Sequence, residues 1–186
     1  MSPDPRIPPL PPEEWGNDVK SFLEAVPPRI DRRLGDNNIF PTFARHPELF
    51  RAWLPFAGVL LTAGKLSGRD RELLILRVAV LCESSYEWGQ HVRISLEGGI
   101  ERGTIDRVLE GPDAEGWSQQ EAGLLRAADE LHEDSRISDA TWQILAETYD
   151  TEQLIEATMV IGHYHMLAFA LNSFGVELDE GLEPLP

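Results

Sequence analysis

Cysteine is almost missing from this chain of 186 residues: Cys82 stands alone, so no internal disulfide forms. Lysine is nearly as rare, with only Lys20 and Lys65, and the other basic side chains are arginines. No uninterrupted apolar run reaches the roughly 18 residues of a membrane span. The N-terminal stretch MSPDPRIPPLPPEEW has no basic region followed by an apolar one, so it does not read as a secretory signal. Together these absences favour a reducing, cytoplasmic setting. Positive charge is deficient too: 16 Lys+Arg against 32 Asp+Glu leave a formal net charge of −16. Such a coat repels phosphate backbones and anionic lipid, so neither nucleic acid nor a membrane is an expected partner. A pocket can differ from the average surface, so an acidic small molecule stays open as a substrate. There is no G-x-G-x-x-G, P-loop, G-x-S-x-G or H-E-x-x-H, and no strand alternation of useful length.

What is present is helical. Residues 1–12 hold six of the 14 prolines and read as an extended, polyproline-like arm, either a tail or a strap on its own domain or on a neighbouring subunit. Residues 13–186 read as one all-α domain of seven or eight helices. A first amphipathic helix, EEWGNDVKSFLEAV, is stopped by Pro27-Pro28. DNNIFPTFARHPELF reads as loop, with Pro47 opening the next helix and Pro55 kinking it. RDRELLILRVAVL is expected to start near Asp70 as N-cap. Its Arg77, set among apolar residues, needs a carboxylate, and Glu72, Glu83 and Glu87 are the nearest in sequence. Ser118-x-x-Glu121 has the capping-box pattern. DTEQLIEATMVIGHYHMLAFALNSFG is the longest helix, apolar nearly all round past Leu154, so it is expected to be central and buried.

The chemistry concentrates in LCESSYEWGQH, residues 81–91. Ser84 and Glu87 match a second capping box, which accounts for both without any function. If the helix starts at Ser84, then Ser84, Glu87, Trp88, His91 and Ser95 share a face. Glu87 and His91 then sit one turn apart. A carboxylate beside an imidazole holds one tautomer, which makes an acid–base pair. With Glu72 and His165 the same pair is also part of a metal set, but E-x-x-x-H pairs are common on helices and no metal is expected. His163 and His165 alternate on the long helix, so only one faces a given pocket. Cys82, Tyr86 and Trp88 each have a plain packing role as the alternative.

At this cluster the sequence resembles the carboxymuconolactone decarboxylase family, which includes alkylhydroperoxidase D. The resemblance runs from Arg69 to Gly111, and the flanks RHPELFRAW and LIEATMVIGHYHMLAFALNSFGVELD resemble longer, peroxidase-related members. It implies an alkylhydroperoxidase D-like all-α fold and homo-oligomers: dimers, trimers or hexamers. Trp15, Trp53, Trp117 and Trp142 are candidate interface anchors. In the peroxidase branch a glutamate, a Cys-x-x-Cys and a histidine carry the reaction. The glutamate and histidine fall on Glu72 and His91, while the cysteine positions fall on Ser84 and Glu87. Neither a hydroxyl nor a carboxylate performs thiol–disulfide exchange. The resemblance therefore implies the thiol-free side of the family: acid/base chemistry on a small carboxylate or carbonyl compound, without metal or organic cofactor. In this reading His91 is the general acid/base tuned by Glu87, Glu72 orients or shuttles protons, and Tyr86 donates to an oxyanion. Ser84, Trp88, Cys82 and His165 are the candidates for contacting substrate. The alternatives are an oligomeric ligand-binding or scaffold protein and a peroxidase that uses Cys82 alone. A cavity beside His91 with convergent polar groups discriminates between enzyme and scaffold.

Overall fold

The computed structural model of the chain describes residues 4–17, 19–20 and 37–186. Among them there are eight α-helices and no strand: α1 (Ile39–Phe43), α2 (Pro47–Gly58), α3 (Gly68–Leu81), α4 (Ser85–Glu97), α5 (Arg102–Glu110), α6 (Gln119–Asp134), α7 (Asp139–Ala146) and α8 (Thr151–Phe174). The all-α expectation holds. The helix expected over 13–26 and its Pro27-Pro28 stop lie mostly outside the described residues; what is described there begins with a 3-10 turn, Pro12–Glu14. The stretch read as loop before Pro47 holds the short α1. Pro55 lies inside α2, which runs on into a π-helical turn, Val59–Ala63.

The core is built on α3, where Leu73, Leu74, Ile75, Leu76, Val78 and Ala79 are all completely buried. A run apolar on every side belongs in the middle of a bundle, and α3 packs against α4, α5, α6 and α8. Each large aliphatic side chain so buried contributes about 1.5–3 kcal/mol. The helix starts earlier than expected: Ser67, not Asp70, is its N-cap and accepts the Asp70 backbone N–H at 3.0 Å. Arg77 takes none of the three nearby glutamates. It forms a two-pronged pair with Asp129 of α6, Nε to Oδ1 at 2.6 Å and Nη2 to Oδ2 at 2.9 Å, and Nη1 donates to the Val108 carbonyl. The tertiary fold brings α6 across α3 at that height, and the fork geometry of guanidinium on carboxylate suits a half-buried pair. The Ser118–Glu121 capping box forms as expected.

The longest helix is only half as buried as its composition suggests. Val160, Ile161, Tyr164, Leu167, Ala168 and Leu171 face inward, but Ile155, Met159, Met166 and Phe169 form an exposed stripe on the opposite side. By length and composition α8 also passes as a membrane span, yet more than half of that window is buried against the bundle. Of the four tryptophans considered as interface anchors, only Trp142 is largely exposed. Trp15 donates to the Leu10 carbonyl, Trp117 donates to the Gly111 carbonyl beneath the Arg107 guanidinium, and Trp53 packs on Phe43 and Phe50.

Both chain ends fold back on the bundle. The described part of the proline arm is a strap on its own domain: the Ile7 and Leu10 amides donate to Phe174 and Pro41 carbonyls, and Arg45 donates to the Pro8 carbonyl at 2.6 Å. At the other end Gly175, with φ 68, terminates α8, and the tail returns across α4. Contact there is close enough that a Cβ on Gly89 would lie 2.8 Å from the Glu183 carbonyl oxygen and 3.1 Å from Leu182 Cβ. Gly89→Ala is therefore expected to lift the tail from α4 at a cost of about 1–3 kcal/mol. Urea unfolding measures the loss, and faster proteolysis of the C-terminus locates it.

Candidate active site

Three residues, Cys82 to Ser84, turn the chain from α3 into α4, with Glu83 in the left-handed region at φ 51. So short a link makes the two helices neighbours and sets residues of α3 opposite residues of α4. Ser84 occupies the N-cap position, but the second capping box does not form. Its side chain makes no cap bond, and neither its hydroxyl nor either Glu87 oxygen has a hydrogen-bond partner among the described residues, although all are buried.

The partner of His91 is Glu72, not Glu87. His91 Nδ1 lies 2.7 Å from Glu72 Oε2, with both side chains buried. Facing a carboxylate, Nδ1 carries the proton, which leaves Nε2 with its lone pair. Glu72 Oε1 accepts from Arg71 Nε at 3.2 Å, so the glutamate is itself held. Glu87, one turn before His91, is in the opposite condition. Complete burial without a compensating bond pushes its carboxyl well above the usual carboxylate range. Glu87 thus holds its proton more tightly than an ordinary carboxyl, and Glu72 does the orienting that the one-turn spacing had suggested for Glu87.

Glu87 and His91 line the same cavity, of about 330 Å³, together with Tyr86, Gln90 and Arg93 of α4 and His163 and Tyr164 of α8. Apolar walls come from Ile39, Phe40, Trp53, Leu54, Leu61, Ile94 and Leu167. This volume suits a small molecule, and a mainly apolar lining with a few converging polar groups is the usual make-up of a ligand site. The Tyr86 hydroxyl is fully engaged: it donates to Asp179 Oδ2 at 2.9 Å and accepts from the Ile39 amide and Gln90 Nε2. Its proton is committed to the tail, so Tyr86 shapes the wall instead of serving as a free oxyanion donor. Burial raises the Asp179 carboxyl as well.

The other expected contacts lie elsewhere. Trp88 is fully buried in a core cluster with Leu73, Leu76 and Leu125, and Ser84 is sealed at the helix start; neither lines the cavity. Cys82 and His165 also lie off it, because the other face of α8 carries His165 outward. Burial above all pushes the Cys82 thiol up to about 11, which leaves little thiolate at neutral pH. Of the two alternating histidines it is His163, not His165, that faces the cavity. It follows the inward set Val160, Tyr164, Leu167 and Leu171 on the 3–4 spacing, a signal legible in the sequence. Its ring stacks on Trp53 at 6.1 Å and meets Phe56 and Tyr164 edge-on. Desolvation, then the nearness of His91, lowers its pKa to about 4. His163 is therefore expected to stay neutral from pH 5 to 8. In imidazole NMR spectra its signals should hold still over that range, and movement near pH 6.5 would show an ordinary, hydrated ring. The folded state binds this proton more weakly than the unfolded chain does, so His163 lowers stability as pH falls from 6.5 toward 4.

The bundle that carries this cavity has the alkylhydroperoxidase D-like fold. Residues 47–130 match the Carboxymuconolactone decarboxylase family. An uncharacterised peroxidase-related protein from Ralstonia eutropha, with an alkylhydroperoxidase AhpD core, superposes with a TM-score of 0.81 at 17% identity, over 97% of this chain and 95% of that one. A peroxidase-related protein from Silicibacter has a TM-score of 0.74 at 16% identity, over 100% of this chain and 92% of its own. A Cys→Ala variant of the debrominase Bmp8, in complex with 2,3,4-tribromopyrrole, has a TM-score of 0.80 at 15% identity over 97% and 95%. No curated protein matches the sequence.

Proposed function

We propose that this protein catalyses proton transfer on a small, largely apolar carbonyl or carboxylate compound, as in decarboxylation, isomerisation or lactone chemistry. One observation carries the reading. Two titratable groups of one cavity are driven to opposite roles: His91, oriented through Nδ1 by Glu72, presents a basic Nε2, while Glu87 keeps its proton. An oriented lone pair on one group and a tightly held proton on the other supply the base and the acid of such a reaction. His91 Nε2 takes the proton from the carbon next to the substrate carbonyl, and the electron pair moves into that carbonyl. Glu87 hands its proton to the carbonyl oxygen, giving an enol. Where a carboxylate is lost instead, the C–C bond supplies the electron pair and the returning proton goes to carbon. Arg93, bonded through Nη2 to Gln90 Oε1, brings a guanidinium to the cavity wall, where a substrate carboxylate is attracted. A debrominase on this fold has been seen with a brominated pyrrole, so small flat rings belong among the compounds tried.

The test is a thermal-shift screen of small keto acids, lactones and halopyrroles, followed by NMR of solvent deuterium entering each hit. His91→Gln should leave the thermal shift in place and slow the exchange by about 10²–10⁴-fold. Exchange that continues at the original rate removes His91 from the chemistry. The second reading, an oligomeric ligand-binding or scaffold protein, is favoured by the exposed stripe on α8. It predicts binding without exchange in the unaltered protein. Cys82, off the cavity and protonated, gives no support to a one-cysteine peroxidase.

A further inference from the structure

Three potential metal ligands meet away from the cavity, on three different helices: Cys82 at the end of α3, His132 in the last turn of α6 and His165 on α8. One ligand atom from each lies within 4.8 Å of the other two. We propose that they form a binding site for a single zinc-class divalent ion, with its fourth coordination position open to solvent.

The geometry is close to what such an ion needs. Zinc–sulfur and zinc–nitrogen bonds of ~2.3 and ~2.0–2.1 Å, set tetrahedrally, place ligand atoms roughly 3.3–3.6 Å apart. His132 Nδ1 and His165 Nε2 are now 3.0 Å apart, joined by one proton. An ion displaces that proton and spreads the pair by a few tenths of an ångström. His132 is exposed and its ring is free to give way.

Two of the ligands are already aimed. His165 donates from Nδ1 to the Ile161 carbonyl at 2.9 Å, which fixes the tautomer and turns the Nε2 lone pair toward the cluster. A backbone carbonyl behind a ligating imidazole is the usual outer-shell support of a metal-bound histidine. Cys82 is anchored on both sides of its Cα. Its amide donates to the Val78 carbonyl at 2.9 Å, and its own carbonyl accepts from Asn172 Nδ2 at 2.8 Å. Phe169 meets the His165 ring edge-on at 6.0 Å and walls one side.

The donor set decides the class of ion. One thiolate and two imidazoles suit borderline-soft ions such as Zn²⁺ and Co²⁺ and do not suit Mg²⁺ or Ca²⁺, which take oxygen. Binding forms one metal–sulfur and two metal–nitrogen bonds. It releases the Cys82 thiol proton to solvent, while the imidazoles bind in their neutral form. Because His132 lies at the surface, a water or an external small ligand fills the remaining position. This site does not depend on the acid–base reading of the cavity.

The experiment titrates the reduced full-length chain with Co²⁺ and follows the near-ultraviolet thiolate-to-cobalt charge-transfer band. The band should saturate at one equivalent and be displaced by Zn²⁺. Cys82→Ser and His132→Gln should each lose it, and thermal melting shows that both variants remain folded. His91→Gln, which alters the cavity instead, should keep it. Absence of the band, its survival in His132→Gln, or its loss in His91→Gln would overturn the assignment.

Discussion

Glu87→Gln is expected to make the protein more stable at neutral and alkaline pH and, at the same time, nearly inactive. The folded state holds the Glu87 proton far more tightly than the ordinary value of 4.5, because the carboxyl is completely buried and unbonded. Above about pH 4.5 the unfolded chain has released this proton while the folded chain keeps it. The folded state then binds more protons, so stability falls as pH rises, by up to about 1.4 kcal/mol per pH unit until the folded pKa is passed. Below the unfolded value both states are protonated and Glu87 adds no penalty. Glutamine has the same shape and no proton to lose, so the stability difference between variant and wild type should be small in acid and widen as pH rises. Urea unfolding at a series of pH values measures it. Turnover should fall by about 10²–10⁴-fold, since the amide donates hydrogen bonds but transfers no proton. Stability gained where activity is lost marks a group kept for chemistry at the expense of the fold. A stability difference that does not change with pH would mean that Glu87 is ionised in the folded protein, and its role as acid would be withdrawn.

Glu72→Gln should act on kcat with little effect on KM. The amide retains an acceptor for Arg71 but turns an N–H₂ group toward His91 Nδ1, where the carboxylate had accepted at 2.7 Å. Nδ1 must then be the acceptor, the proton moves to Nε2, and the ring presents a donor to the cavity where the proposed reaction needs a base. In a serine-protease triad the equivalent change lowers kcat about 10⁴-fold by enforcing the wrong tautomer. A loss on the order of 10²–10⁴ is expected here. Nitrogen NMR of the imidazole reads the tautomer directly. If the spectrum shifts and the rate does not, Nε2 is not the base. Glu72 does not touch the cavity, so this is a positioning effect and substrate binding should survive it.

The helical spans between residues 47 and 174 and the Ser118–Glu121 cap were legible because they rest on local physics: apolar spacing, side-chain caps, and glycine or proline at the ends. Membership of Glu87 and His91 in one face was legible for the same reason, since residues four apart on a helix are neighbours. The pairing within the site was not. Glu72 reaches His91 across 19 positions, through a helix reversal that no spacing rule predicts, and it takes the bond that proximity in sequence had assigned to Glu87. Arg77 is a parallel case, passing over three nearby glutamates for Asp129 on a helix 52 residues away.

The amino-acid order by itself determined that this chain is a helical bundle, that Glu87 and His91 share one helix face, and that two-thiol exchange is impossible in it. Tertiary structure alone decided which of those residues meet. Burial without a partner made Glu87 an acid, the α3–α4 reversal gave His91 its carboxylate, and the rotation of α8 put His163 inside and His165 outside. The reason is one of range. Helix formation is settled within a few residues, whereas the charge state of a side chain depends on solvent and neighbours that arrive from anywhere along the chain.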